Sequence, residues 1–193
     1  MIFEIGGARV SLYDGTQGAT FLKEDRATGA AMTIDYAHHE IHGGSGFFAI
    51  YSALKADTQT IEVRIQTPDT TKWAHMMIIV EAALAATAQL WIDTTKTDAE
   101  ANRITPMNRD HNSATTSGLT ICHTPGGSES ATAALTEYFG SAASGGRVAV
   151  GGEANSRAEF ILEQNTAYLI RATSRADGNA LSIVMDWYEH TNA

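Results

Sequence analysis

A chain of 193 residues with 44% hydrophobic and 18% charged side chains carries enough apolar material for one packed domain and too little charge for a disordered tail. Its formal net charge of −9, from 22 acidic and 13 basic residues, argues against a nucleic-acid partner, whose phosphates call for Lys and Arg. A single cysteine, Cys122, excludes an internal disulfide, and its apolar setting beside Ile121 reads as a buried, inert thiol.

The first ten residues, MIFEIGGARV, lack a charged segment followed by a long apolar run, so no secretory signal is expected. Residues 1–30 are rich in Gly, Ala and Thr and read as an extended N-terminal arm. Within it, Ile2, Phe3 and Ile5 can pack, and Val10, Leu12 and Tyr13 suit a short edge strand. Residues 31–193 read as one domain, since no linker separates two patterned halves. TIDYAHHEIH, residues 33–42, reads as a strand closed by a turn at Gly43-Gly44-Ser45-Gly46. In GFFAIYSAL, residues 46–54, both faces are apolar, which suits an interior strand. QTIEVRIQT alternates Ile61, Val63 and Ile65 with Glu62, Arg64 and Gln66, one face dry and one wet, and stops at Pro68-Asp69.

Residues 74–93 are Ala-rich, as a helix would be, but Ile78, Ile79, Val80, Thr87 and Ile92 are β-branched. Two strands, about 74–82 and 87–93, are the preferred reading, with a helix the alternative. Residues 94–130 are polar and turn-rich, with strands expected at 102–109, interrupted by Pro106, and at 118–123. Residues 131–139 suit a strand or a short helix, and 141–155 a loop. In the last stretch Tyr168, Ile170 and Ala172 alternate along one strand. Turn residues 175–179 follow, and Leu181, Ile183, Met185 and Trp187 line another strand that runs almost to the end of the sequence. Nine or ten short strands separated by Gly, Pro, Asn and Asp predict an all-β antiparallel sandwich or barrel. The membrane is excluded as a partner, because the longest apolar run, Met76 to Val80, is far too short to span it.

One cluster suggests chemistry. On a strand, His38, Glu40 and His42 would project to one face about 6.6 Å apart, an array able to hold a divalent metal. The His-x-His start is similar to that of cupins, but the further Glu and His of that pattern cannot be laid over the rest of the chain. A polar face paired with neighbouring strands is the preferred reading, and no metal, cofactor or catalytic residue is assigned. Trp73, Trp91 and Trp187 could form a sugar platform, though core or interface positions suit them better. There is no nucleophile elbow, phosphate-binding Gly-Lys-Ser/Thr loop or His-Glu-x-x-His.

DYAHHEIHGG (35–44) and EFILEQNTAYLIRATSRADGN with WYEH (159–179 and 187–190) resemble a family of tailed-bacteriophage virion proteins, the capsid decoration or cement proteins. PDTTKWAHMMIIVEA (68–82) and MNRDHNS (107–113) are similar in position and type, so the resemblance spans roughly residues 33–190. It implies a β-sandwich of jelly-roll type on the outer capsid surface of the virion, made in the host bacterial cytoplasm. The implied partners are the major capsid protein and further copies of the chain, with a homotrimer preferred and a dimer the alternative. The expected role is to bridge neighbouring capsomers without enzymatic activity, through the arm and the loop from Asp93 to Thr116. A receptor- or glycan-binding module of a virion fibre is the alternative, and a cupin-like metal protein a more remote one.

Overall fold

The computed structural model describes residues 2–5, 8–11, 36–139 and 159–191. The chain divides into two units, Met1–His39 and Glu40–Ala193. In the first, β1 (Ile2–Ile5) and β2 (Ala8–Ser11) pair antiparallel, with Ile2 opposite Ser11. Val10 of the expected edge strand belongs to β2, whereas Leu12, Tyr13 and the rest of 12–35 lie outside the described residues.

The expected strand over 33–42 is corrected: Tyr36–His42 form a helix, α1. The reason lies in the residues that follow. Gly44 adopts a positive φ of 74° and its N–H donates to the Ile41 carbonyl, while the Ser45 N–H donates to that of Glu40, a glycine-terminated helix end. A Cβ on Gly46 would lie 2.9 Å from Ile41 Cγ1, so the chain leaves the helix past a residue that has to be small.

Among the described residues of the second unit, eleven strands follow. They are β3 (Gly46–Lys55), β4 (Thr60–Gln66), β5 (Lys72–Ala82), β6 (Ala86–Ile92), β7 (Arg103–Ile104), β8 (Met107–Asn108), β9 (Thr120–His123), β10 (Leu135–Phe139), β11 (Glu159–Leu162), β12 (Ala167–Ser174) and β13 (Asn179–Thr191). They form two antiparallel sheets: sheet I in the order β10-β6-β12-β4-β9-β7, and sheet II in the order β11-β5-β13-β3-β8. The protein is an all-β sandwich. Residues 74–93 are two strands, as their β-branched residues predict, but the two do not pair with each other. β5 lies in sheet II and β6 in sheet I, so the small residues between them carry the chain from one layer to the other. β12 and β13 part in the same way.

Period-two alternation builds the core. Sheet II contributes Phe47, Ala49, Met76, Ile78, Val80, Leu181, Ile183, Met185 and Trp187; sheet I contributes Ile61, Val63, Ile65, Ile121, Tyr168, Ile170 and Ala172. Trp187 is 2% exposed and packs on Phe47 with ring centroids 5.9 Å apart. β13 is the central strand of its sheet, flanked by β3 and β5. The core therefore closes only when the final strand is in place.

Candidate functional site

The two outer faces of the sandwich differ in kind. On sheet I, Glu62, Arg64, Gln66, Trp91 and Arg171 point away from the core. Glu62 accepts from Arg171 Nε at 2.6 Å and lies 3.0 Å from Lys96 Nζ. The Arg171 guanidinium sits 4.6 Å over the Trp91 ring. The segment after β6 folds back over this face: Trp91 Nε1–H donates to the Ala131 carbonyl, and Glu129 gathers Thr94 Oγ1, the hydroxyl and N–H of Thr95, and the Ala131 N–H. Burial pushes the Glu129 carboxyl up, but these donors outweigh it and hold its pKa below the ordinary value. Trp91 is 3% exposed as a result, and this face is a charged network around the buried Trp91, Leu169 and Cys122.

Sheet II presents the opposite picture. Register places its outward residues in rows across the strands. Ile50, Val184 and Ile79 form one row; Met107, Phe48, Asp186 and Met77 form the next. Leu54 stands above them and Ile161, on the edge strand, below. Ile50, Leu54, Met77, Met107 and Ile161 are between 39% and 72% exposed. Asp186 is held by a two-pronged pair with Arg109, whose guanidinium also lies 5.6 Å over the Phe48 ring, and Glu159 stands at the β11 end of the same row, opposite Met77. Ser52 donates to Ser182 at 2.9 Å in the row beyond, where Glu81 marks the polar border. An outward sheet face in water is ordinarily polar, and contiguous exposed apolar area on this scale marks a surface for another macromolecule.

At the β11 side of the same face, Glu159 accepts from Tyr188 Oη at 2.7 Å and lies 2.6 Å from His75 Nδ1. His75 Nε2 is 2.8 Å from His190 Nε2, and the His75 and Tyr188 rings stack at 4.8 Å. These distances make Glu159, His75 and His190 a hydrogen-bonded carboxylate–histidine–histidine chain. Sequence reading missed it because its members are 31 to 115 residues apart and meet only through the β5–β13 and β5–β11 registers.

The array weighed, and not preferred, as a metal site at His38, Glu40 and His42 presumed a strand, and α1 replaces that strand. Successive helical residues turn by about 100°, so Glu40 leaves the side on which His38 and His42 lie. Glu40 instead accepts from Ser45 Oγ at 2.5 Å, closing the helix end. Among the described residues, no group of three or more His, Cys, Asp or Glu is arranged to hold a metal ion. The tryptophans go to three places: Trp187 into the core, Trp91 under Arg171, and Trp73 to the outer face of sheet II opposite His190. They do not form a platform. The loop from Asp93 to Thr116 is well tied: Asp98 to Arg103, Asn108 to the Gly44 and Thr115 carbonyls, and Arg109 to Asp186. No described helix is long and apolar enough to cross a membrane. Comparison with protein-family profiles, with curated proteins and with solved structures gave no match to this chain.

Proposed function

We propose that this chain is a structural virion protein that binds the outside of a phage capsid and stabilises it by bridging neighbouring capsomers. The observation that carries the reading is the broad apolar outer face of sheet II. It is spread over adjacent strands and is not a cleft, an arrangement suited to a protein surface more than to a small ligand. The capsid as partner comes from the sequence resemblance over residues 33–190. The jelly-roll fold implied by that resemblance is supported by strand order. Setting aside the inserted β7, β8 and β9, the first four strands pair with the last four in reverse, β3 with β13, β4 with β12, β5 with β11 and β6 with β10. That is the pairing of one long antiparallel ribbon rolled into two four-stranded sheets.

The mechanism of such a protein is clamping. Apolar and hydrogen-bonded contacts across a capsomer junction resist separation of the subunits, and a body tied by long-range strand pairing transmits load without deforming. The test is to add the purified chain to mature heads of the encoding phage that lack it, sediment the heads, and follow their disruption by heat and low ionic strength. Bound protein and a higher disruption temperature are expected. Heads equally resistant with and without the chain would refute the clamp.

A further inference from the structure

We propose that His75 and His190 hold a divalent transition-metal ion, such as Ni²⁺ or Cu²⁺, between their Nε2 atoms. This goes beyond the capsid reading and does not depend on it. The two residues are diagonal neighbours on the outward side of sheet II. His75 lies opposite Tyr188 and His190 opposite Trp73, two positions further along the β5–β13 ladder.

Hydrogen-bond partners fix the ring protons. His190 Nδ1 is 3.1 Å from the Thr191 carbonyl, which can only accept. His75 Nδ1 is 2.6 Å from Glu159 Oε1, a carboxylate oxygen that also accepts from Tyr188 Oη, so this nitrogen is a donor as well. With an N–H on each Nδ1, the two Nε2 atoms turn lone pairs toward each other across 2.8 Å. Facing lone pairs call for a cation between them, a proton or a metal ion. A histidine that ligates a metal through one nitrogen ordinarily gives its other N–H to a carboxylate or a backbone carbonyl, and here one ring does each.

Ring geometry favours the metal over the proton. A straight N–H···N bond would hold the ring centroids farther apart than the nitrogens by two ring radii, about 2.3 Å. The centroids are 4.4 Å apart, only 1.6 Å more than the nitrogens, so the link is bent. Drawn symmetrically, lines from the ring centres through the nitrogens meet about 2 Å beyond each, the length of a metal–imidazole bond. The angle at that point is about 90°, the cis angle of a tetragonal or octahedral ion, which suits Ni²⁺ and Cu²⁺ better than tetrahedral Zn²⁺. Two protein nitrogens are fewer than a closed site has, and His190 is partly exposed, so the ion exchanges with solvent and takes its other ligands from water. An ion held here ties the end of β13 to β5 and, through Glu159, to β11.

The full chain, purified without an affinity tag, is to be titrated with NiCl₂ by isothermal calorimetry, and its Cu²⁺ complex examined by electron paramagnetic resonance. One ion per chain and a hyperfine pattern from two nitrogens are expected. His190→Gln should abolish uptake. Glu159→Gln leaves both ligands in place and should weaken uptake about 10–100-fold. The double variant His38→Gln/His42→Gln removes the other close histidine pair, one turn apart on α1, and should leave uptake unchanged. Circular dichroism checks that each variant is folded. No uptake at a large excess of Ni²⁺ would overturn the site. So would uptake that survives His190→Gln, uptake lost with His38 and His42 instead, or a hyperfine pattern from a single nitrogen. None of these outcomes touches head binding, which is tested separately.

Discussion

Glu189 offers the sharpest test of how the final strand is locked. It is 7% exposed, on the core side of β13 opposite Ala74, and its carboxylate collects three donors. Trp187 Nε1–H reaches Oε1 at 3.0 Å, the Ser117 hydroxyl reaches it at 2.5 Å, and the Gly118 N–H lies 3.0 Å from Oε2. Glu189→Ala strands two of these, the indole N–H and the Gly118 amide; the Ser117 hydroxyl can rotate, and already accepts from the Leu119 N–H. Each buried donor left without an acceptor costs about 1–3 kcal/mol, partly offset by removal of a desolvated carboxylate, so a loss of about 3 kcal/mol is expected. Glu189→Gln keeps an oxygen for the indole but turns an amide N–H₂ toward the Gly118 N–H, and should cost about 1–2 kcal/mol. Urea unfolding followed by tryptophan fluorescence and circular dichroism measures both. An alanine variant within about 0.5 kcal/mol of the parent would refute the lock. A glutamine variant as damaged as alanine would show that charge, and not acceptor geometry, is what matters.

Glu129 should link stability to acid. Its folded pKa lies below the ordinary 4.5, so its contribution is complete above that value and is lost as pH falls through the folded value. Glu129→Gln should cost about 1–2 kcal/mol at neutral pH and flatten the acid limb of stability measured by urea unfolding across pH. Arg171→Ala removes the roof of Trp91 and one partner of the largely buried Glu62 carboxylate, and should cost about 2 kcal/mol. Arg171→Lys should recover only part of this, since it keeps charge without the planar contact. Burial pushes the Cys122 thiol up, and the residue is 1% exposed, so maleimide labelling should proceed at the rate of opening. Fast labelling of the native chain would contradict its placement.

Most of the strands were legible because one physical rule, alternation of apolar and polar side chains, governs a half-buried strand. Ile61, Val63 and Ile65 face the core, and Leu181, Ile183, Met185 and Trp187 do the same. The break at Pro106 separates β7 from β8 as expected. The helix was misread because His38, Glu40 and His42 also alternate, and in so short a segment period two and period 3.6 are hard to separate. The deciding signal was the pair Gly43-Gly44, read as a turn between strands when it is the end of a helix. The carboxylate–histidine chain at Glu159, His75 and His190 had no local signal at all. It depends on β11 and β13 both pairing with β5, and sheet register is a long-range property.

The strand over residues 46–54 carries the more instructive lesson. Its two apolar faces suit a strand covered on both sides, and the reading of it as an interior strand was correct in kind. β3 does lie inside its sheet, between β13 and β8, but interior in a sheet is not covered in a sandwich. Phe47 and Ala49 face the opposite sheet, while Phe48, Ile50 and Leu54 face outward on the second side. In a two-layer protein a strand that is apolar on both faces turns one apolar face to solvent. The same holds for β5 with Met77 and Ile79, and for β13 with Val184. Three adjacent strands break alternation together in the row of Ile50, Val184 and Ile79, which scattered exposed residues would not. The failure of alternation was thus itself the sequence signal for an apolar outer face. On sheet I the outward Leu169, Trp91 and Cys122 are apolar too but lie buried, whereas Ile50, Leu54 and Met77 on sheet II are exposed.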